Sequence, residues 1–172
     1  MSADNFKTCL EWLLEHEGGF VNDPRDSGGM TNLGVTKMVY DAYYGKNASE
    51  EDMRSLTVED VEPIYLERYW NKSSCPLLPS GVDWAVFDWA VNSGPYRAVR
   101  ALQQSVKTAK DGIIGPQTLR KVAMENPRDI IEDMWVQREQ FYRSLSNFDS
   151  FGKGWLRRNN QTRIQALSLL EE

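Results

Sequence analysis

A chain of 172 residues can form one domain with a sizeable core, and 41% hydrophobic with 26% charged residues suits a globular protein in water. The net charge of −5 argues against a dedicated nucleic-acid binder, no apolar run reaches the roughly 18 residues of a membrane span, and one histidine with two cysteines leaves no ligand set for zinc. The charge is uneven, with 13 acidic against 5 basic side chains over residues 1–65 and 9 against 13 over residues 97–172; this is either surface scatter or a basic half suited to an anionic polymer.

Residues 1–16 lack the basic leader, apolar stretch and small-residue cleavage site of a secretory signal. Residues 5–16 place Phe6, Leu10, Leu13 and Leu14 on one face of a predicted helix. Cys9 falls beside that face as a buried thiol, and Cys9 and Cys75 are expected to be reduced. Gly18 and Gly19 are expected to stop the helix in the left-handed conformation. Residues 20–35, rich in Asn, Asp, Pro, Ser and Gly, read as a loop with one or two short strands in a small antiparallel sheet. Helices follow over 36–44 and 57–70, the second opening on a Thr57–Asp60 cap and bent at Pro63.

Residues 81–92 are apolar nearly all round, which predicts a buried central helix holding Trp84 and Trp89. Gly94 and Pro95 break it, and the next helix runs to about Val106. Lys107–Gly112 is the one plausible subdomain seam. Pro116 opens a helix to Met124. A longer helix spans 126–145, with Ile130, Met134, Phe141 and Leu145 as core candidates, and a last one spans 160–170. The fold class is therefore α+β, mainly α-helical, with a small β-hairpin or sheet near the N-terminus.

Chemistry concentrates where the first helix ends. Glu17 stands at the negative end of that helix dipole, near Phe20 and the buried helix face. Both disfavour the ionised carboxylate, which is what a general acid requires. Asp26, nine residues on in the turn-rich DPRDSGG segment, could fold back across a cleft as a solvated carboxylate. Thr31 and Thr36 carry hydroxyls able to orient a water. Two such carboxyl groups suit cleavage of a glycosidic bond. Taken alone, a Glu at a helix end is more often a solvated residue and an Asp in a Pro/Gly turn more often a turn-former. Cys9 and His16 stand about 10 Å apart along one helix, too far for a nucleophile–base pair.

The stretch EHEGGFVNDPRDSGGMTNLGVT, Glu15 to Thr36, resembles the signature of glycoside hydrolase family 108. The likeness rests on Glu17-Gly18-Gly19-Phe20, the turn from Asn22 to Gly29, and Thr31-Asn32-x-Gly34-Val35-Thr36. It continues through Tyr65, Arg68, Tyr69 and Trp70, then Asp88, Ala90, Asn92, Ser93 and Gly94. DGIIGPQTL at 111–119 and FGKGWLRR at 151–158 are similar to the peptidoglycan-binding region of that family.

The resemblance implies a lysozyme-like fold over residues 1–172, with a catalytic region at 1–94 and a helical peptidoglycan-binding region at 95–172 packed against it. It implies an N-acetylmuramidase that cleaves the β-1,4 bond between N-acetylmuramic acid and N-acetylglucosamine, without cofactor or metal. Glu17 is then the general acid. The Glu17–Asp26–Thr31 order also resembles the triad of phage lysozymes, with the same Glu–Asp spacing. The Asp–Thr spacing is one residue shorter, which keeps Thr36 as a rival. A separation of about 6.5–9.5 Å between Glu17 and Asp26 would mean inversion, and about 5 Å retention. Tyr69, Trp70, Asn92 and Ser93 are candidates to line the sugar cleft, and Arg157 and Arg158 to meet peptide carboxylates.

Peptidoglycan is the expected partner, for a monomer that is not inserted in a membrane and binds no nucleic acid. An endolysin made in the cytoplasm, released through a holin or another export route and acting in the periplasm fits the missing leader. A lytic transglycosylase and a non-catalytic wall-binding or secretion accessory protein are the alternatives.

Overall fold

The computed structural model describes residues 5–25 and 27–171, so Asp26 lies outside the described residues. The chain divides into two compact units, one of residues 7–68 and one that joins residues 5–6 to 69–171.

Helix α1 (Asn5–His16) crosses from the larger unit into the smaller and buries Phe6, Cys9, Leu10 and Leu13, the face expected from their spacing. Its hydrogen bonding runs one residue further, because the Glu17 N–H still reaches the Leu13 carbonyl at 3.3 Å. The expected glycine stop is corrected here. Neither Gly18 nor Gly19 has a left-handed φ, and a Cβ added to either would meet nothing within 4 Å.

In the smaller unit, Val21 and Thr31 exchange two backbone hydrogen bonds of 2.8 Å and so close the loop between them. Strands β1 (Thr31–Asn32) and β2 (Val35–Thr36) pair antiparallel, with Thr31 opposite Thr36 and Asn32 opposite Val35. Leu33 at φ 51° and Gly34 at φ 76° form the two-residue turn, whose double left-handed φ matches the right-handed twist of a hairpin.

Helix α2 (Lys37–Tyr44) starts at once. The Thr36 hydroxyl accepts from the Val39 N–H at 3.2 Å, and the Met30 and Gly28 carbonyls take the Lys37 and Met38 N–H groups. A five-residue helix that the pattern misses, α3 (Glu50–Arg54), opens on a Ser49–Asp52 capping box. The buried Asn32 amide donates to the Met53 carbonyl at 2.8 Å and ties the hairpin to α3. Helix α4 (Val58–Tyr65) opens on the expected Thr57–Asp60 box, passes through Pro63, and widens into a π-helix at Leu66–Asn71.

The larger unit is helical. A 3-10 turn at Cys75–Leu77 leads to α5 (Val82–Ser93), in which every residue from Val82 to Ala90 is buried. Helices α6 (Pro95–Ser105), α7 (Pro116–Met124), α8 (Pro127–Arg143) and α9 (Phe148–Ser168) follow, and α5 packs against α6, α8 and α9. Phe6, Trp70 and Phe87 meet edge to face with centroids 5.2–5.9 Å apart, and Trp84 is fully buried beside Phe87. Burial of each such ring contributes about 2–3 kcal/mol.

Helix α9 begins at Phe148 rather than at Asn160. Gly152 and Gly154 hide its start, and Gly152 is needed there because a Cβ would strike the Phe148 ring. The supposed seam at Lys107–Gly112 is a pinned loop inside this unit. The buried Gln103 amide nitrogen reaches Asp111 Oδ1, the Ile113 carbonyl and Thr118 Oγ1 at 2.9–3.1 Å, and its oxygen accepts from the Gly112 N–H.

At the centre of α5, Asp88 is fully buried and accepts from Arg138 of α8 at 2.7 Å, Arg158 of α9 at 2.8 Å and Thr162 of α9 at 2.9 Å. Burial alone would push its carboxyl up. The two guanidiniums outweigh that and hold it well below the usual carboxylate range.

Candidate active site

The site is built from three chain segments of the smaller unit. The end of α1 presents Glu17, the hairpin turn presents Leu33 and Gly34, and the end of α4 presents Tyr65. Glu17 is half-buried. Its carboxyl group lies so close to the turn that a Cβ on Gly34 would stand 2.9 Å from both Glu17 Cγ and Glu17 Oε2, and would collide with the Tyr65 hydroxyl as well. Tyr65 is 1% exposed, and its hydroxyl donates to the Leu33 carbonyl at 2.8 Å. A buried tyrosine needs an acceptor, and this one takes it from the turn that faces Glu17. The carboxyl is thereby held between a helix end and a hairpin tip, with the bare backbone of Gly18 and Gly19 beside it.

Phe20, expected to shield Glu17, carries the Arg54 guanidinium 4.0 Å from its ring centroid. Asp23 and Arg25 staple the turn ahead of position 26. The Arg25 side chain and backbone N–H both donate to the Asp23 carboxylate and lower its affinity for a proton. The two threonines differ. Thr36 gives its oxygen to the α2 N-cap, whereas the Thr31 hydroxyl, half-buried on β1, makes no hydrogen bond among the described residues.

The other candidates lie in the larger unit. Trp70 is 1% exposed and packs on Phe6 and Phe87, so its place as a cleft residue gives way to a core role. Tyr69 is half-buried. Asn92 is exposed at the end of α5, where its carbonyl oxygen accepts from the Tyr142 hydroxyl at 2.7 Å and from Ser93 at 3.1 Å. Tyr142 in turn accepts from Arg138 Nε at 2.9 Å, so the amide of Asn92 is oriented through the Asp88 cluster. Arg158 is corrected from a surface contact to a partner of Asp88.

Sequence reasoning did not single out Tyr65 and Gly34 as parts of the site, nor Tyr142 behind Asn92. Gly34 and Tyr65 carried a signal as positions of the family resemblance, but without a role, and Tyr142 carried none.

A model of the glycosyl hydrolase 108 family matches residues 10–94, and one described as a predicted peptidoglycan domain matches residues 97–160. Among solved structures, the chain is similar to SagA from Brucella abortus, with 37% identity, a TM-score of 0.88, and coverage of 99% of this chain and 98% of that one. No curated protein matches the chain.

Proposed function

The chain belongs to the glycosyl hydrolase 108 family and carries a peptidoglycan domain behind the catalytic one, and from that premise we propose that it is an N-acetylmuramidase with Glu17 as its general acid. The observation that supports this best is the seat of Glu17. Its carboxyl is lodged between the end of α1 and the Leu33–Gly34 turn, with Tyr65 fixing that turn. Gly18 and Gly19 support it further. Neither is needed for backbone conformation or for packing, and a bare backbone is what a closely approaching sugar chain requires.

In the proposed reaction, Glu17 gives its proton to the glycosidic oxygen as the bond to the anomeric carbon breaks. Asp26, assisted by Thr31, directs a water to the opposite face of the ring and takes its proton as the oxygen bonds to the anomeric carbon. Thr31 is preferred to Thr36 because the Thr36 oxygen is already committed to capping α2. In the larger unit, taken by itself, Tyr69, Asn92 and Ser93 remain proposed contacts to the polymer, with the Asn92 amide nitrogen left to donate.

The test is mass spectrometry of muropeptides from purified sacculi treated with the wild type and with Glu17→Gln. Wild type is expected to release fragments with reducing N-acetylmuramic acid ends. Glu17→Gln is expected to lose activity by about 10²–10⁴-fold or more with an unchanged circular dichroism spectrum. An active Glu17→Gln protein overturns the assignment of the acid. Anhydro ends would make the enzyme a lytic transglycosylase, and sacculi left intact by the wild type would make it an accessory protein.

A further inference from the structure

Between α6 and α8 the larger unit holds a concavity of about 430 Å³. Three cations line it: Arg97, Arg100 and Lys110. Its remaining polar side chains include Gln104, Gln137 and Gln140, and no acidic residue lines it. The protein as a whole carries a net charge of −5, so this is a local concentration of positive charge on an acidic molecule.

The cations are held in place without being neutralised. The Arg97 guanidinium lies 4.2 Å from the Phe141 ring centroid, and that of Arg100 lies 5.3 Å from the Tyr96 centroid. Arg100 Nε donates to the Lys110 carbonyl at 3.1 Å, and Lys110 Nζ donates to Gln104 Oε1 at 3.1 Å. None of the three forms an ion pair among the described residues. The nearest acid in the hydrogen-bond network, Asp133, accepts from Gln137 and from Ser105 at the rim.

Tyr96 is 60% exposed, yet its ring lies against Gly112, where a Cβ would strike it. The loop that carries Gly112 is itself pinned by Gln103. An exposed aromatic on a rigid seat, beside two aromatic-backed guanidiniums, is a preorganised surface rather than a patch of mobile side chains.

We propose that this concavity binds a carboxylate-bearing peptide, the acidic stem of the wall polymer, and so holds the peptide while the glycan is cut. The proposal rests on the muramidase reading for its choice of polymer. Guanidiniums pair with carboxylates in a fork geometry, carboxamides match the donors and acceptors of a peptide backbone, and the rings of Tyr96, Phe141 and Trp89 suit its aliphatic parts. A linear phosphate polymer would be served by a stripe of cations along the surface. Here the charges converge on one concavity, with amides between them. The residue first expected to meet peptide carboxylates, Arg158, is committed to Asp88; Arg97 and Arg100 are not so committed.

The test uses the stem tetrapeptide freed from sacculi, the same peptide with its carboxylates amidated, and a glycerol-phosphate polymer. These are titrated calorimetrically against the full-length wild type and Arg97→Gln/Arg100→Gln. The free peptide should bind the wild type, and both amidation and the double substitution should weaken it about tenfold or more. On sacculi the double variant should raise KM with kcat unchanged, and on peptide-free glycan chains it should match the wild type. Equal binding of the amidated peptide, full affinity in the double variant, or Arg-dependent binding of the phosphate polymer in preference to the peptide overturns the proposal. Peptide binding without cleavage of either polymer would sink the muramidase reading and leave this site standing. Cleavage of both without peptide binding would do the reverse.

Discussion

Gly34 is glycine for two independent reasons. Its φ of 76° would cost another residue about 1–2 kcal/mol, and its Cα lies where a Cβ would push into the Glu17 carboxyl and the Tyr65 hydroxyl. Gly34→Ala is therefore expected to lose activity by more than its stability loss explains, as read by wall-digestion rate beside urea denaturation. Tyr65→Phe removes one hydrogen bond to the Leu33 carbonyl, at a cost of about 1 kcal/mol, and frees the turn that faces the acid. It should reduce turnover while the protein stays folded at assay temperature. At this scale the sequence was half legible. Glu17 could be singled out as a candidate because it stands at a helix end, which is a local feature. The meeting of Gly34 with Tyr65 spans 31 positions, and no local pattern announces it.

Among the elements, the α2 cap separates two threonines that the sequence left as rivals. Thr36→Ala should cost about 1 kcal/mol through the lost cap, with activity following stability. Thr31→Val should leave stability close to wild type and lower activity, and parallel denaturation and turnover measurements distinguish the two patterns. The meeting of α5, α8 and α9 at Asp88 makes a stronger claim. Asp88→Ala leaves the guanidiniums of Arg138 and Arg158 buried without their carboxylate, and should destabilise by about 3–5 kcal/mol in equilibrium unfolding. Periodicity sufficed for α1, and ends that carry Thr, Gly or Pro for α2, α4, α5, α6 and α7. They failed for α3, which is too short to show a period, and for the start of α9, where Gly152 is kept for packing.

For the molecule as a whole, the α+β, lysozyme-like class is as expected, but its grouping is not what sequence order suggests. The glycosyl hydrolase match ends at residue 94, whereas α5 packs with α6, α8 and α9 in the larger unit. Sequence order cannot reveal this, because the contacts of α5 are made fifty and more positions away at Arg138, Arg158 and Thr162. Two buried aspartates of α5 then pull stability in opposite directions. Burial pushes Asp83 up to about 6, although Asn5 and the Gly81 and Trp84 N–H groups all donate to it. Its folded form holds the proton more tightly than the unfolded chain. Its contribution is therefore full below about pH 4 and lost as pH rises through about 6, a swing of about 3 kcal/mol. Asp88 has the reverse sign: its contribution is present above the ordinary carboxylate range and lost as pH falls below it. Urea midpoints measured from pH 4 to 7 should show a downward slope that Asp83→Asn flattens.

The π-helix at Leu66–Asn71 fits an additional residue into its turn compared with the α-helix before it. The side chains near its end, Trp70 among them, are thus offset from where an α-helical count would put them. Shortening the chain by a single residue there would let the coil tighten and swing the Trp70 indole by about 100° away from Phe6 and Phe87. In this turn length matters more than letter: exchanging a residue leaves the offset in place, whereas omitting one cancels it.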